Sequence, residues 1–399
     1  MLRRLALAGL IAALAGCGLL PRNAVPPELV EQAVIPDLPD IRAWAGRRSP
    51  VMERDLAASF AQESPTEFPK AADGFVHYSH LALSGGGPNG AFGAGFLNGW
   101  TATGKRPVFK IVSGVSTGAL IAPFAFLGPS YDDALREFYT TTSSRNIFRL
   151  LSIIPQLLAG ESLADSGPLA ALIQQHVDAT LLGQVAEAHA RGRRLYVATV
   201  DLDAGRFVVW NMGLIATSRR PEALELFRQV MLASASVPIA FPPVFFEVEV
   251  GGRRYDEMHV DGAVAANAFY NGGVFNPSII RERGGRGAGR EEIFVIHNGQ
   301  LLPVPEQTPR SLRGIALRTL ESAGRAGVVG DLFRIRAFAR EAQASFYWIT
   351  IPEGVELEGS EVFDPVVMRR LYDVGYRTAN AGPEWNTRPP GFQFDETPQ

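Results

Sequence analysis

The stretch Gly85-Gly86-Gly87-Pro88-Asn89-Gly90-Ala91-Phe92-Gly93-Ala94-Gly95 constrains this chain more than any other. It follows the apolar run Leu81-Ala82-Leu83 and precedes an amphipathic run that begins near Phe92. That order predicts a strand, a turn open only to glycine, and then a helix. Successive glycines let backbone N–H groups converge on one concavity beside the positive end of the helix. Such a concavity holds a phosphate or the oxyanion of an acyl-transfer intermediate.

The next strand-like run decides between them. Val108-Phe109-Lys110-Ile111-Val112 leads into Ser113-Gly114-Val115-Ser116-Thr117-Gly118, and the apolar run Ala119 to Leu127 follows. Gly114 to Gly118 spells G-x-S-x-G between a strand and a helix, the setting that exposes a serine hydroxyl at the end of a sheet. Gly85, Gly87 and Gly90 also spell G-x-G-x-x-G. A dinucleotide site, however, needs an acidic residue at the end of the second strand, and Ser113 to Ser116 supplies none. No Gly-Lys-Ser/Thr follows either, so a P-loop is excluded.

Val260-Asp261-Gly262-Ala263 taken alone reads as a turn. It gains weight from its surroundings: a hairpin-like run Glu247 to Tyr255, and upstream the segment Ala233-Ser234-Ala235-Ser236-Val237-Pro238-Ile239-Ala240-Phe241-Pro242-Pro243. With these four segments in this order, over residues 78–264, the chain resembles the patatin-like phospholipases and lipid acyl hydrolases. That family is marked by a glycine-rich oxyanion loop, a G-x-S-x-G turn, an Ala-Ser-x-x-x-Pro-x-x-Phe-x-Pro segment and an Asp-Gly-Gly/Ala motif.

The resemblance implies an α/β fold, a sheet of mostly parallel strands sandwiched by helices, with a Ser–Asp dyad at the strand ends. It makes Ser116 the nucleophile, Asp261 the general base, and the N–H groups of Gly85, Gly86 and Gly87 the oxyanion hole. It implies no metal or organic cofactor, and substrates that are phospholipids, lysophospholipids or other long-chain acyl esters. Asn89 departs from the pattern, standing where the family has Arg or Lys; it is expected to brace the loop. A triad of Ser116, Asp261 and His297 is the competing arrangement, because His297 ends a strand-like run ahead of Asn298-Gly299. Two other functions stay open: a carboxylesterase acting on soluble esters, and a catalytically silent lipoprotein that binds lipid or a partner.

Between the ends, strand-like runs (Leu81–Leu83, Val108–Val112, Leu195–Val200, Phe207–Trp210, Phe245–Val250, Ile293–His297, Phe346–Ile351) alternate with helix-like ones, as an α/β sheet requires. The longest helix-like run, Leu312–Ala342, is expected to start at Thr308-Pro309 and to break near Gly324, Gly327 or Gly330. Phe148 to Leu158 is mostly apolar and reads as a buried segment, with a flap over an acyl groove as the alternative. Arg281 to Arg290 reads as a mobile basic loop, with head-group contact as its alternative.

A net charge of −3 without a basic block gives no sign of a nucleic-acid partner. The six histidines include no H-E-x-x-H pair, and Cys17 is the only cysteine, so neither a zinc-hydrolase motif nor a disulfide framework is present. Met1-Leu2-Arg3-Arg4, the apolar run Leu5 to Ala15, and Leu14-Ala15-Gly16-Cys17 resemble a bacterial lipoprotein leader. Residues 1–16 are then a signal peptide and Cys17 carries the acyl anchor, palmitate among its chains. Gly18, in place of Asp, points to the outer membrane in a Gram-negative host. The proline-rich residues 17–70 read as a tether and N-terminal extension, 71–382 as the hydrolase domain, and 383–399 as an irregular tail.

Overall fold

The computed structural model describes residues 22–151, 161–283, 289–302, 305 and 307–391. The leader, Cys17, most of the apolar segment after Leu151, the centre of the basic loop and the last residues of the tail lie outside that set.

Among the described residues, eleven strands occur: β1 (Arg42–Trp44), β2 (Val76–Leu83), β3 (Phe109–Gly114), β4 (Arg149–Leu150), β5 (Ala164–Asp165), β6 (Arg194–Asp201), β7 (Arg206–Asn211), β8 (Val244–Val250), β9 (Arg253–Asp261), β10 (Gly289–His297) and β11 (Ser345–Thr350). Nine form one sheet in the order β1-β7-β6-β3-β2-β10-β11, with β9 added beside β6 and β8 beside β9. Five successive strands, β6, β3, β2, β10 and the edge strand β11, run parallel. The sheet is therefore the expected mostly parallel one.

Side chains alternate across these strands and feed two cores. On β3, Phe109 and Val112 enter one core while Ile111 enters the other; on β2, Leu81 and Leu83 face the first and Ala82 the second. Burying each such aliphatic or aromatic side chain stabilises the fold by about 1.5–3 kcal/mol. Six helices matter for the site: α1 (Pro50–Ala61), α2 (Gly90–Ala102), α3 (Thr117–Leu127), α4 (Ala223–Ser234), α5 (Leu312–Glu341) and α6 (Pro365–Asn380). Residues of α2, α3, α4 and α6 fill the first core, and those of α1 and α5 fill the second.

The N-terminal segment corrects the tether reading. Its prolines do not leave it slack: Val25, Ile35 and Ile41 are buried, and β1 pairs antiparallel with β7 at the sheet edge. Arg22 binds Asp203 at 2.7 Å and Asp256 at 2.6 Å. On α1, Asp55 accepts from the fully buried Arg194 at 2.6 Å. Residues 22–61 are thus built into the same body as the sheet.

The long helix differs in two ways from expectation. It starts after Ser311, whose hydroxyl accepts from Gly314 N–H at 3.0 Å, not at Thr308-Pro309. It also runs unbroken through Gly324, Gly327 and Gly330. A Cβ at Gly324 or Gly327 would stand 3.8 and 3.6 Å from Asn267 Nδ2, ordinary contact, so neither glycine is required there by crowding.

Candidate active site

The sheet register brings the two expected catalytic residues to one place. Along β6, Val197 pairs with Gly114 of β3, while Thr199 pairs with Asp261 of β9. The first half of β6 thus borders β3 and its second half borders β9. Ser116 lies two residues past Gly114, just where β9 ends on Asp261.

Ser116 sits at φ 55°, ψ −126°, a strained backbone that points its side chain out of the strand-to-helix turn. Both flanking glycines are required by close approach. A Cβ on Gly114 would lie 2.3 Å from the Gly118 carbonyl, and one on Gly118 would lie 2.3 Å from the Leu83 carbonyl. The strained turn is braced from α4: Ser116 N–H donates to Ser234 Oγ at 3.0 Å, and Ser234 Oγ donates to the Ala198 carbonyl at 2.7 Å. The Ala233 to Pro243 segment was visible in the sequence, but its bracing hydroxyl was not, because its partners come from two other elements.

Asp261 is 1 % exposed. Its Oδ1 accepts from Ala263 N–H at 2.8 Å, and its own N–H donates to the Ser236 carbonyl at 2.9 Å. Burial raises its carboxyl to about 7, against the opposing pull of the nearby Ser116 hydroxyl and the Ala263 N–H. The Ser116 contact falls short of a full hydrogen bond: Oδ2 of Asp261 is buried with no hydrogen-bond partner among the described residues. Gly262 follows because a Cβ there would lie 2.6 Å from the Ala198 carbonyl.

The glycine loop requires a correction. Gly85 N–H donates to the Asn267 carbonyl at 2.9 Å, so it is not available to an oxyanion. Gly85 serves instead to let the loop approach: its Cβ would stand 3.2 Å from Ser116 Cβ. Gly86, at φ 153°, has no room for a side chain, since a Cβ would lie 2.0 Å from the Asn298 carbonyl. No hydrogen bond among the described residues engages the N–H groups of Gly86 and Gly87, which precede α2. These two donors can hold an oxyanion.

Asn298 fixes their direction. It donates from N–H to Ser84 Oγ at 2.8 Å and from Nδ2 to the Ser84 carbonyl at 2.9 Å, and its Oδ1 accepts from Gly93 N–H at 3.1 Å. No sequence pattern assigns Asn298 a role. Asn89 does not cap α2 as expected: its side chain makes no capping hydrogen bond, and the residue lines the cleft that also holds Asp261.

His297 lines the same cleft but touches neither Ser116 nor Asp261 by a hydrogen bond among the described residues. Thr350 Oγ1 donates to the Gly299 carbonyl at 2.6 Å, so at its 2.8 Å contact with His297 Nδ1 it must accept. Burial, helped by the charge of Arg325, pushes the imidazole down to about 4 and keeps it neutral. The side-chain partner of His297 is thus Thr350 and not Asp261.

Two spaces lie near the pair, and Ser116 lines the first of them. One is a pocket lined by Leu120, Phe138, Ile147, Leu169, Phe241 and Met368, nearly all apolar and only about 60 Å³ in volume. The other is an open cleft of about 890 Å³ that holds Gly85, Gly86, Asp261 and His297 and is rimmed by charged residues of α5. Val237 lines both.

A separate cluster has metal-ligand chemistry. Buried Asp201, Glu257 and His259 bring ligand atoms within 4.8 Å of one another. Each already has protein partners: Glu257 pairs with Arg42, His259 Nδ1 meets Thr199 Oγ1 at 2.8 Å, and Asp201 accepts from Asp203 N–H at 3.0 Å. These side chains form an internal ion network that pins β1 to β9.

The family model for patatin-like phospholipases matches residues 81–271. Among solved structures, VipD from Legionella pneumophila is similar over 78% of this chain and 69% of its own, at 11% identity and a TM-score of 0.40. Human GIVD cytosolic phospholipase A2 is similar over 85% of this chain and 63% of its own, at 8% identity and a TM-score of 0.32. No curated protein matches.

Proposed function

We propose that this chain, a lipid acyl hydrolase carrying a patatin-like phospholipase domain, cleaves carboxylic esters of membrane lipids through an acyl-enzyme on Ser116. The observation that carries the reading is the register of β6, which sets the strained Ser116 beside a buried carboxyl raised to about 7. A base with a pKa near the operating pH is the most effective proton acceptor.

Asp261 takes the proton from Ser116 Oγ as that oxygen bonds to the ester carbonyl carbon. The negative charge moves to the carbonyl oxygen, where the N–H groups of Gly86 and Gly87 hold it; loss of one such donor costs roughly 3–4 kcal/mol of barrier. The carbon–oxygen bond to the leaving alcohol then breaks, and Asp261 returns its proton to that oxygen. Water repeats the sequence: Asp261 takes its proton, hydroxide adds to the acyl carbon, and Ser116 leaves reprotonated with the free fatty acid.

The apolar pocket at Ser116 and the open cleft at Asp261 suit an ester with one apolar and one polar arm. The acyl chain enters the apolar pocket, which must widen for a long chain, since 60 Å³ is about the volume of two waters. The alcohol side occupies the cleft. Exposed Val237, Val264 and Val362 at the cleft mouth favour a substrate presented in a lipid surface over a soluble ester.

We also propose that Cys17 is acylated and holds the protein on the cell envelope. Arg22, five residues on, is docked to Asp203 just past the C-terminal end of β6, the sheet end that carries Ser116. An anchor there keeps the cleft near the membrane. Fractionation of the Cys17→Ala protein tests this: release from the membrane is expected, and retention with normal processing contradicts it.

The functional reading is tested by fatty-acid release from phospholipid vesicles set against hydrolysis of a soluble butyrate ester. Faster turnover of the vesicle lipid is expected. Turnover of the butyrate ester alone makes the protein a carboxylesterase, and no turnover of either leaves a silent binder.

A further inference from the structure

The apolar pocket at Ser116 encloses only about 60 Å³, and its lining shows where it can give. Leu120, Phe138, Ile147, Leu169, Phe241 and Met368 are all buried and all belong to the first core. Side chains in such a core are close-packed, so widening the pocket on their side displaces further core residues. Among the described residues that line the pocket, the side chains of Val237 and Phe363 alone are not buried. Val237 also lines the open cleft, so it borders both spaces. Phe363 lines the pocket only, and it is the half-buried ring that can turn toward solvent without disturbing the core.

The backbone at this ring is pinned. Phe363 N–H donates to Ser144 Oγ at 3.0 Å. The next residue, Asp364, caps α6 by accepting from Val366 N–H at 2.9 Å, and it accepts from Ser360 N–H at 2.8 Å. The ring therefore moves by changing its own rotamer while the chain around it stays in place. Against it lies the half-buried ring of Phe148, with centroids 6.4 Å apart at 65°, and Phe148 in turn meets Phe241 at 6.2 Å. Exposed apolar side chains flank both rings in the chain. Leu150, two residues past Phe148, is 70 % exposed, and Val362 and Val366 beside Phe363 are 64 and 76 % exposed. Ser116 and Asp261 have no use for these three, whereas an alkyl chain would cover them.

We propose that Phe363 is the gate of the acyl pocket and sets the length of the acyl chain that Ser116 accepts. With the ring in place, the pocket holds a short acyl group. With the ring turned out, a longer chain passes beside Phe148 onto Leu150, Val362 and Val366. The inference rests on the lipid-ester reading above and adds the residue that selects among acyl chains. Phe363 meets the chain and not the reacting atoms, so it changes how esters rank by acyl length and leaves the chemical step alone.

The test compares p-nitrophenyl hexadecanoate with p-nitrophenyl butanoate in the same detergent micelles. The ratio of kcat/KM for the long ester to that for the short one rises at least tenfold in Phe363→Ala and by less in Phe363→Leu. Phe363→Trp lowers it. An unchanged ratio overturns the inference, as does an equal loss on both esters, which is what a merely structural role would give. Calorimetry with free hexadecanoate carries the same test without turnover: its affinity rises at least tenfold in Phe363→Ala while that of butanoate does not, and an unchanged hexadecanoate affinity contradicts the gate. A protein whose hexadecanoate affinity rises in this way yet hydrolyses neither ester keeps the gate and loses the hydrolase reading.

Discussion

Burial raises the Asp261 carboxyl to about 7, against 3.8 for an unburied aspartate, and this ties stability to catalysis at one residue. Between those values the unfolded chain has released the proton while the native protein still holds it. Native stability contributed by the protonated acid is therefore complete below about pH 4, falls as pH rises, and is gone above about 7. Asp261→Asn cannot ionise, so it gains stability over the native protein across that window, by on the order of 4 kcal/mol at most. Urea midpoints at pH 4, 6 and 8 check this; a difference independent of pH contradicts it. Turnover runs the other way, because the base must be ionised: kcat/KM rises with pH to a plateau above about 7. Asp261→Asn should lose activity by orders of magnitude, while His297→Ala stays within a few-fold; equal damage restores the triad.

That Ser116 and Asp261 come together was legible in the sequence because glycines with steric reasons stand beside both. Gly85 was misjudged for a reason no local pattern reveals: its N–H is taken by Asn267, far along the chain. Ser234 and Asn298 were silent for the same reason, since what they brace is brought to them by the sheet.

At the scale of elements, α2 and α6 meet through backbone. A Cβ on Gly95 or Gly99 would stand 1.9 and 2.2 Å from the Tyr372 and Tyr376 carbonyls, and one on Gly375 would stand 2.1 Å from the Phe92 carbonyl. The glycines after the loop thus do two jobs, turning the chain at the start of α2 and admitting α6 along its length. Gly95→Ala must push the helices apart, at about 1–3 kcal/mol. Because α2 begins directly behind the oxyanion loop, turnover of the folded variant should drop as well. Thermal unfolding together with kcat measures both, and full activity at native stability would show that the helix pair tolerates the extra volume.

Most strands announced themselves as apolar runs. The first part of β2 did not, because His77, Ser79 and His80 interrupt it; yet His80 is buried beside Glu291 of β10. Strand β1 and helix α1 were hidden by prolines that read as a tether. Ser49 caps α1 and Pro50 opens it, a position where proline is accommodated.

The whole molecule is a branched sheet that gathers Ser116, Asp261 and the loop at Gly86 and Gly87 between an apolar pocket and a charged cleft. Its central claim is that Ser116 is the single activated nucleophile and that Asp261 activates it. Reaction with a fluorophosphonate, mapped by mass spectrometry and timed, tests both parts at once. The account predicts one adduct, on Ser116, formed slowly or not at all in Asp261→Asn and absent in Ser116→Ala. An adduct on another residue, or undiminished labelling in either variant, would contradict it.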